Sequence, residues 1–494
     1  MLQIPPTQTE WQLEEWHKQY GPIISLKLGG DTLIVIKDRE AIRDLWEKKA
    51  LIYSDRSHGY VAGLLTQQHH AAFQSMGPAW RDRRKLISHY YSPQQCDTVH
   101  AEYQNAEALA LAKSLLDDPD NFYNLIKRFA AAITGALTYG KRPKKFEDPL
   151  CQDVIEAMGY ISENMELGAA PPVDEWPFTI LRMVPAGFAY WKHRALTQGK
   201  RMDAIFGKLW NEFMDRRRSG KDMSCLFQDF LSRAGGTEEE SLGSWQWGLH
   251  SLQFLGGEIL EGGADTTSST LISFIMAMAC YPEAQARCQA QIDAAVGCDR
   301  TPQWEDYDKI PYVAQIQKET IRWRCVTVTG TPHVVKEDNF YKGFKSLHMD
   351  EEYYPDPDKF FPERADEKSR FEGKTRLADH YQGNSDWKSR DHYGYGGGRR
   401  ICPGMHLAER NLWRSMSKIL WAFEIKPTTD PLTGEPQPPS TVPFSKNGLT
   451  SAFTGGAVRV ARPFKVNLVP RSPKHAEVLL REFEKATPIL SKYD

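Results

Sequence analysis

The reading of this chain turns on one stretch, Tyr395-Gly396-Gly397-Gly398-Arg399-Arg400-Ile401-Cys402-Pro403-Gly404. Glycines let the backbone take positive φ and come close to a flat ligand. The apolar period turns helical just past Cys402, from about Met405 to Ala422. A sulfur near a helix N-terminus, with arginines beside it, is stabilised as the thiolate by the dipole and by local positive charge. Such a sulfur is suited to bind a metal. Arg400 can reach an anionic group such as a carboxylate. A dinucleotide fingerprint would need G-x-G-x-x-G, but Arg399 stands where the third glycine after Gly394 and Gly396 belongs. A plain glycine-rich turn with a bystander cysteine is the remaining alternative.

The segment resembles the haem-binding loop of the cytochrome P450 superfamily, Phe-x-x-Gly-x-Arg-x-Cys-x-Gly, with Tyr395 in place of the usual Phe. The resemblance implies that Cys402 is the proximal thiolate on the iron of haem b. It also implies that Tyr395, Gly396, Arg400 and Gly404 belong to the cofactor site. A thiolate ligand pushes electron density onto iron and favours O–O cleavage.

Working outward, further motifs stand in the family's order. Glu319-Thr-Ile-Arg322 is by itself an ordinary i, i+3 ion pair. With Pro362-Glu363-Arg364 downstream, the resemblance makes Glu319, Arg322 and Arg364 a buried charge network that holds the Cys402 loop, a structural role. Gly262-Gly263-Ala264-Asp265-Thr266-Thr267 falls inside a helix, where each glycine costs about 1 kcal/mol against Ala. Either close helix packing or a ligand against the helix face accounts for that cost. Thr266 can hydrogen-bond the Gly262 carbonyl and distort the helix. The family reading is an oxygen-binding groove in which Asp265 and Thr266 relay protons, which is general acid work. Trp80-Arg-Asp-Arg-Arg84 matches the family's Trp-x-x-x-Arg and puts Trp80 and Arg84 on a haem propionate. His333 follows Pro332, as in the family's Pro-His-Arg triplet. Val334 replaces the arginine there, so one propionate contact is expected to be lost.

Composition agrees with one large globular enzyme. The chain has 494 residues, 41% hydrophobic and 26% charged, without linker, repeat or low-complexity tract. One domain, 1–494, is the expected organisation. Lys and Arg number 62 against 64 Asp and Glu, which argues against nucleic acid as a partner. The eight cysteines include no CxxC pair, as in a reducing compartment.

A hairpin is expected at Ile23–Leu28 and Thr32–Ile36, and a helix capped by Asp38. Long helices are expected over 245–280, 312–324 and 405–422, and strand character at Val458, Val460, Val466 and Leu468. The fold class is mainly α (α+β), a large helical body with a small β portion from both chain ends, consistent with the cytochrome P450 fold.

Two features depart from the family. The apolar N-terminal anchor is absent, leaving Ile4-Pro5-Pro6. A hairpin-sized piece is missing where Phe344 runs into Lys345, so the chain is expected to fold poorly or to bind haem weakly.

The expected chemistry is insertion of one oxygen atom from O2 into a lipophilic small molecule, a secondary metabolite or xenobiotic. NADPH supplies electrons through NADPH-cytochrome P450 reductase. The phrasing of the Asp350–Asp358 and Pro403–Arg410 segments is most like filamentous-fungal members. By resemblance the enzyme works at the endoplasmic reticulum membrane, on its cytosolic face, with peripheral membrane contact. A haem-thiolate isomerase or dehydratase and a catalytically impaired haem-binding relative are the alternatives. The substrate is expected to meet residues 61–73, Leu255, Ile259, Val328, Thr329 and residues 449–453, a mainly apolar lining.

Overall fold

The computed structural model describes residues 9–28, 31–57, 59–166, 168–221, 223–233, 245–328, 330–336, 354–364, 377, 392–443, 451–455 and 458–494. The expected deletion at Phe344-Lys345 lies outside the described residues.

The chain opens with helix α1 (Thr9–Tyr20) and an antiparallel hairpin, β1 (Ile23–Leu28) with β2 (Asp31–Ile36), in register Ile23 to Ile36. Asp38 caps the next turn through the Glu40 and Ala41 amides, as its position before Ile42 and Leu45 predicts. The chain continues as a π-helical turn, Arg43–Lys48, which carries Trp46. The helical body follows: α2 (Pro78–Tyr90), α3 (Ala101–Asp117), α4 (Phe122–Tyr139), α5 (Pro149–Met165) and α6 (Tyr190–Arg218). After these come α7 (Leu249–Cys280), α8 (Pro282–Ala295), α9 (Pro311–Trp323) and α10 (Met405–Ala422).

Helix α7 runs through the core and is buried on nearly every side, so its sequence reads as apolar all round rather than striped. It packs most extensively along α4, and also on α6, α5 and α9. Two glycines allow this. A Cβ on Gly256 would overlap the Tyr139 ring and one on Gly257 the Phe206 ring. The helix ends where Pro282 forbids continuation in that register and opens α8 instead.

A second sheet, order β4-β3-β5, is antiparallel and built from β3 (Phe423–Thr429), β4 (Pro436–Gln437) and β5 (Val466–Pro470). The β portion thus comes from both chain ends. One expectation needs correction. Val458 and Val460 are not in a strand; only an isolated bridge, Phe453 to Ala461, forms there, because Pro463 interrupts the run before β5. The chain then ends in a helix that the sequence reading passed over, α11 (Pro473–Ser491). Ser472 caps it and Val478, Leu479 and Leu490 bury its inner face. Among the described residues no helix is long and apolar enough to cross a membrane.

Candidate cofactor and oxygen site

The loop before α10 is closed by its own backbone. The Gly396 N–H donates to the Tyr393 carbonyl at 2.8 Å, and the Cys402 N–H to the Tyr395 carbonyl at 2.8 Å. Gly396 (φ +76°) and Gly398 (φ +61°) both sit in the left-handed region. Gly398 is also pressed on the π-turn, where a Cβ would overlap the Trp46 carbonyl oxygen. Gly404 caps α10, with nothing within 4 Å of where its Cβ would stand. Cys402, Tyr395, Ile401 and Met405 form a small apolar island.

The expectation of a ready thiolate meets a stronger opposing effect. Burial raises the Cys402 pKa, and the Gly404 N–H and Arg84, which favour the thiolate, do not overcome it. Arg399 is exposed and Arg400 is engaged elsewhere, so Arg84 is the cation whose charge reaches the sulfur. The cofactor-free chain therefore favours the thiol. A bound metal ion would remove its proton.

Next to this loop, residues far apart in sequence form a cationic cradle. Arg400 donates to the carbonyls of Ser54 (2.8 Å), Ala71 (3.3 Å) and Gln74 (2.8 Å), and lies over the Trp80 ring at 4.2 Å. Arg56, which the sequence reading missed, donates to the carbonyls of Thr331 (2.5 Å) and Pro332 (2.7 Å). The bridge between Asp55 and Val334 brings it there. Only tertiary pairing signals Arg56, because nothing local distinguishes it. His333 stacks on Trp46 at 4.3 Å and donates through Nδ1 to the Tyr53 carbonyl at 2.5 Å. Burial, then the Arg56 charge, lowers its pKa to about 4, so it is neutral.

Among the described residues, no carboxylate lies within ion-pair distance of Arg56, Arg84 or Arg400. Burial lowers the Arg56 pKa to about 9 and that of Arg400 to about 10, and the three cations repel one another in part. Asp55 offsets some of this charge, but its oxygens are taken by the Arg56 and Met76 amides and by Lys336. Half-buried cations clustered without counter-ions favour a bound anion. The two propionates of haem b are such anions, and a cysteine sulfur with a flat glycine surface beside them completes the donor set. The residues present fit that group.

On α7, Thr266 Oγ1 donates to the Gly262 carbonyl at 2.5 Å, and Ser268 and Ser269 donate to the Asp265 carbonyl at 3.0 and 2.7 Å. The two accounts of the paired glycines divide between them. A Cβ on Gly262 would meet nothing within 4 Å, whereas one on Gly263 would overlap the Thr134 methyl of α4. Burial raises the Asp265 pKa, opposed by Lys127 of α4, another residue the sequence did not mark.

Glu319 and Arg322 pair through both forks, each at 2.8 Å, and Arg364 Nε reaches Glu319 at 3.4 Å. The Phe361 N–H also donates to Glu319, at 2.9 Å. The two arginines donate onward to the carbonyls of Pro355, Asp356, Pro357 and Lys359. The network therefore grips the 355–361 segment directly. Its neighbour Ile321 packs beneath Gly394, where a Cβ would overlap it, and so backs the Cys402 loop.

The expected apolar substrate lining is only partly what is found. Leu255 and Phe453 are core residues, Val328 is exposed, and Thr329, Leu449 and Thr450 lie outside the described residues. Segment 61–73 carries His70 against the carboxylates of α7 and His69 against the His250 and Phe254 rings.

The family model for cytochrome P450 matches residues 1–449. The cytochrome P450 monooxygenase atE of Aspergillus terreus is 35% identical over 508 aligned residues, covering 100% of this chain and 89% of that protein. The cytochrome P450 monooxygenase patI of Aspergillus clavatus is 36% identical over 507, covering 100% and 90%. A solved zebrafish cytochrome P450, with abiraterone, is similar in fold: TM-score 0.66 at 20% identity, over 95% of this chain and 100% of that one.

Proposed function

Because the chain belongs to the cytochrome P450 family, we propose that its own site residues divide into a ligand, a cradle and a proton relay for a haem-thiolate monooxygenase. Haem bound through a cysteine thiolate supplies the oxygen chemistry, with electrons from a redox partner. Cys402 provides the thiolate, and the loop glycines Gly396, Gly398 and Gly404 keep that surface flat around it. Trp80, Arg84, Arg400, neutral His333 and, additionally, Arg56 hold the propionates. Arg56 thereby makes good the contact that Val334 cannot provide. Tyr395 packs against the sulfur. Burial raises the Asp265 pKa, so its carboxyl keeps a proton to higher pH than a solvated one, beside Thr266. The Thr266 hydroxyl gives its own proton to the Gly262 carbonyl, which leaves its oxygen free to accept one from the groove side. Glu319, Arg322 and Arg364 are structural. The whole chain, 1–494, acts as one domain.

The observation that carries this reading is the convergence of three half-buried arginines, with no carboxylate in ion-pair distance among the described residues, around the loop of Cys402. The substrate is a small lipophilic molecule of secondary metabolism. The redox partner is NADPH-cytochrome P450 reductase, for which exposed Arg81, Lys85 and Arg399 offer a basic approach. Peripheral membrane contact, at the cytosolic face of the endoplasmic reticulum, is supported by Trp176, Ile180, Met183, Phe188 and Tyr190. All are large, apolar and exposed within one segment, with Phe188 88% exposed.

The test is the absorption spectrum of the reduced, CO-bound protein beside Cys402→Ala. A strongly red-shifted Soret band that the substitution abolishes is expected. A band that survives it overturns the ligand assignment.

A further inference from the structure

Segment 69–74 is held from both sides. Toward α7, the Ala71 N–H donates to Glu258 Oε2 at 2.6 Å, and His70 Nε2 lies 3.2 Å from Glu261 Oε2. The Ala72 N–H donates to His70 Nδ1 at 3.2 Å, which fixes the ring against the segment's own backbone. Toward the Cys402 loop, Arg400 donates to the carbonyls of Ala71 and Gln74 at 3.3 and 2.8 Å. Ala71 therefore carries a carboxylate on its N–H and a guanidinium on its C=O. One residue of backbone separates the buried Glu258 carboxyl from the half-buried Arg400 guanidinium.

Glu258 Oε2 also faces His70 Nδ1 at 3.6 Å, beyond hydrogen-bond reach. Arg83 Nη1 stands 4.0 Å from Glu258 Oε1, and neither atom has a hydrogen-bond partner among the described residues. Glu258 also lies one turn before Gly262, on the same side of α7. That is the side on which Gly262 faces open space.

We propose that Glu258 is a positioning residue for Arg400: through Ala71, with His70 and Glu261 as a second tie, it sets where the guanidinium stands and couples the Gly262 face of α7 to the cofactor cradle. This rests on the reading of Arg400 as a propionate ligand. A molecule in the groove that donates a hydrogen bond to Glu258 competes with the Ala71 N–H and loosens segment 71–74, and with it Arg400. Purely structural burial of the same residues would stabilise the fold without that directional link.

The experiment is a double-mutant cycle on the holoenzyme with Glu258→Ala, Glu258→Gln, Arg400→Lys and the combinations. The readouts are amide hydrogen exchange across 69–74 and the rate of haem loss to excess apomyoglobin. In Glu258→Ala both rates rise about tenfold, the worth of one charge-assisted hydrogen bond. Glu258→Gln, which keeps an acceptor for the Ala71 N–H, stays within about threefold of the parent, as the loss of charge alone implies. In the Arg400→Lys background the Glu258 substitutions add nothing to haem loss, the signature of a shared route.

Unchanged exchange at Ala71 in Glu258→Ala, or independent multiplication of the two effects on haem loss, overturns the proposal. If Arg400→Lys alone leaves haem loss unchanged, the reading of Arg400 as a cofactor ligand fails and the coupling falls with it. Fast loss in Arg400→Lys together with unchanged Ala71 exchange sinks the clasp alone. If Glu258→Ala does not fold, Glu258→Met, which also removes the acceptor but keeps the side-chain volume, carries the same cycle with the same expected step of about tenfold.

Discussion

At Cys402, burial and local charge pull in opposite directions. Desolvation favours the thiol, and Arg84 and the Gly404 amide favour the thiolate. The free sulfur is thus held as the less reactive thiol, and a bound metal ion would displace its proton. The loop that presents it depends on Gly398. A methyl there would overlap the Trp46 carbonyl, and its φ of +61° is strained for any other residue. Gly398→Ala is expected to reduce haem content of the purified protein severely while far-ultraviolet circular dichroism stays near that of the parent. Full haem content in that variant would show that the π-turn yields easily. A second residue makes a pH-dependent prediction. Lys418 of α10 is fully buried, its Nζ on the Pro302 carbonyl at 2.7 Å, and burial, then Arg414, lowers its pKa to about 7. A base with a depressed folded pKa contributes stability above its unfolded value, near 10.4, and loses it as pH falls toward about 7. Denaturant midpoints at pH 9.5 and 7 should therefore fall with pH in the parent and fall less in Lys418→Met. Equal slopes would remove Lys418 from the account.

Helix α7 shows how one element serves two purposes through neighbouring glycines. Gly256, Gly257 and Gly263 are occupied by rings and a methyl from other helices, whereas Gly262 is open. The corresponding substitutions should separate stability from function. Gly263→Ala meets Thr134 and is expected to cost about 1–3 kcal/mol, the usual range for overpacking. Gly262→Ala is expected to gain up to about 1 kcal/mol of helix propensity and yet to lose turnover, because its methyl enters the groove beside Thr266. Thermal midpoints and turnover measured on both variants decide this; a destabilised Gly262→Ala would mean that the groove is closed in solution. Sequence alone could not divide these glycines. In the sequence they form one motif, and only the neighbours from α4 tell them apart. Element ends were more legible. Pro282 and Pro311 mark starts that a single sequence displays, because proline lacks the donor that a helix interior needs. Helix α11 carried the same signals, Ser472 followed by Pro473, with apolar residues at helical spacing. It was overlooked because the preceding alternation of valines suggested that the chain ends in strand.

Across the described residues, one continuous core runs from Leu65 to Tyr493, so the C-terminal helix and the central helices share a packing fate. The Glu319 network ties the 355–361 segment to α9 and, through Ile321, supports the Cys402 loop. Glu319→Ala strands two buried guanidinium groups and is expected to cost about 3–5 kcal/mol, as broken buried pairs do. Calorimetry should show one transition shifted down as a unit; a split into two transitions would contradict the single domain.

By itself the sequence determined the chemistry of the metal ligand, the helical class and the order of the motifs. These depend on residue types at short spacings, where covalent geometry does the placing. The tertiary structure alone decided which charges face one another. Arg56 and Arg400 meet across more than three hundred residues, as do Ala71 and Arg400, and no local pattern records such a meeting. It also decided the sign of the Cys402 shift. Whether nearby cations outweigh lost solvation depends on how completely water is excluded, and that is a property of the packed fold.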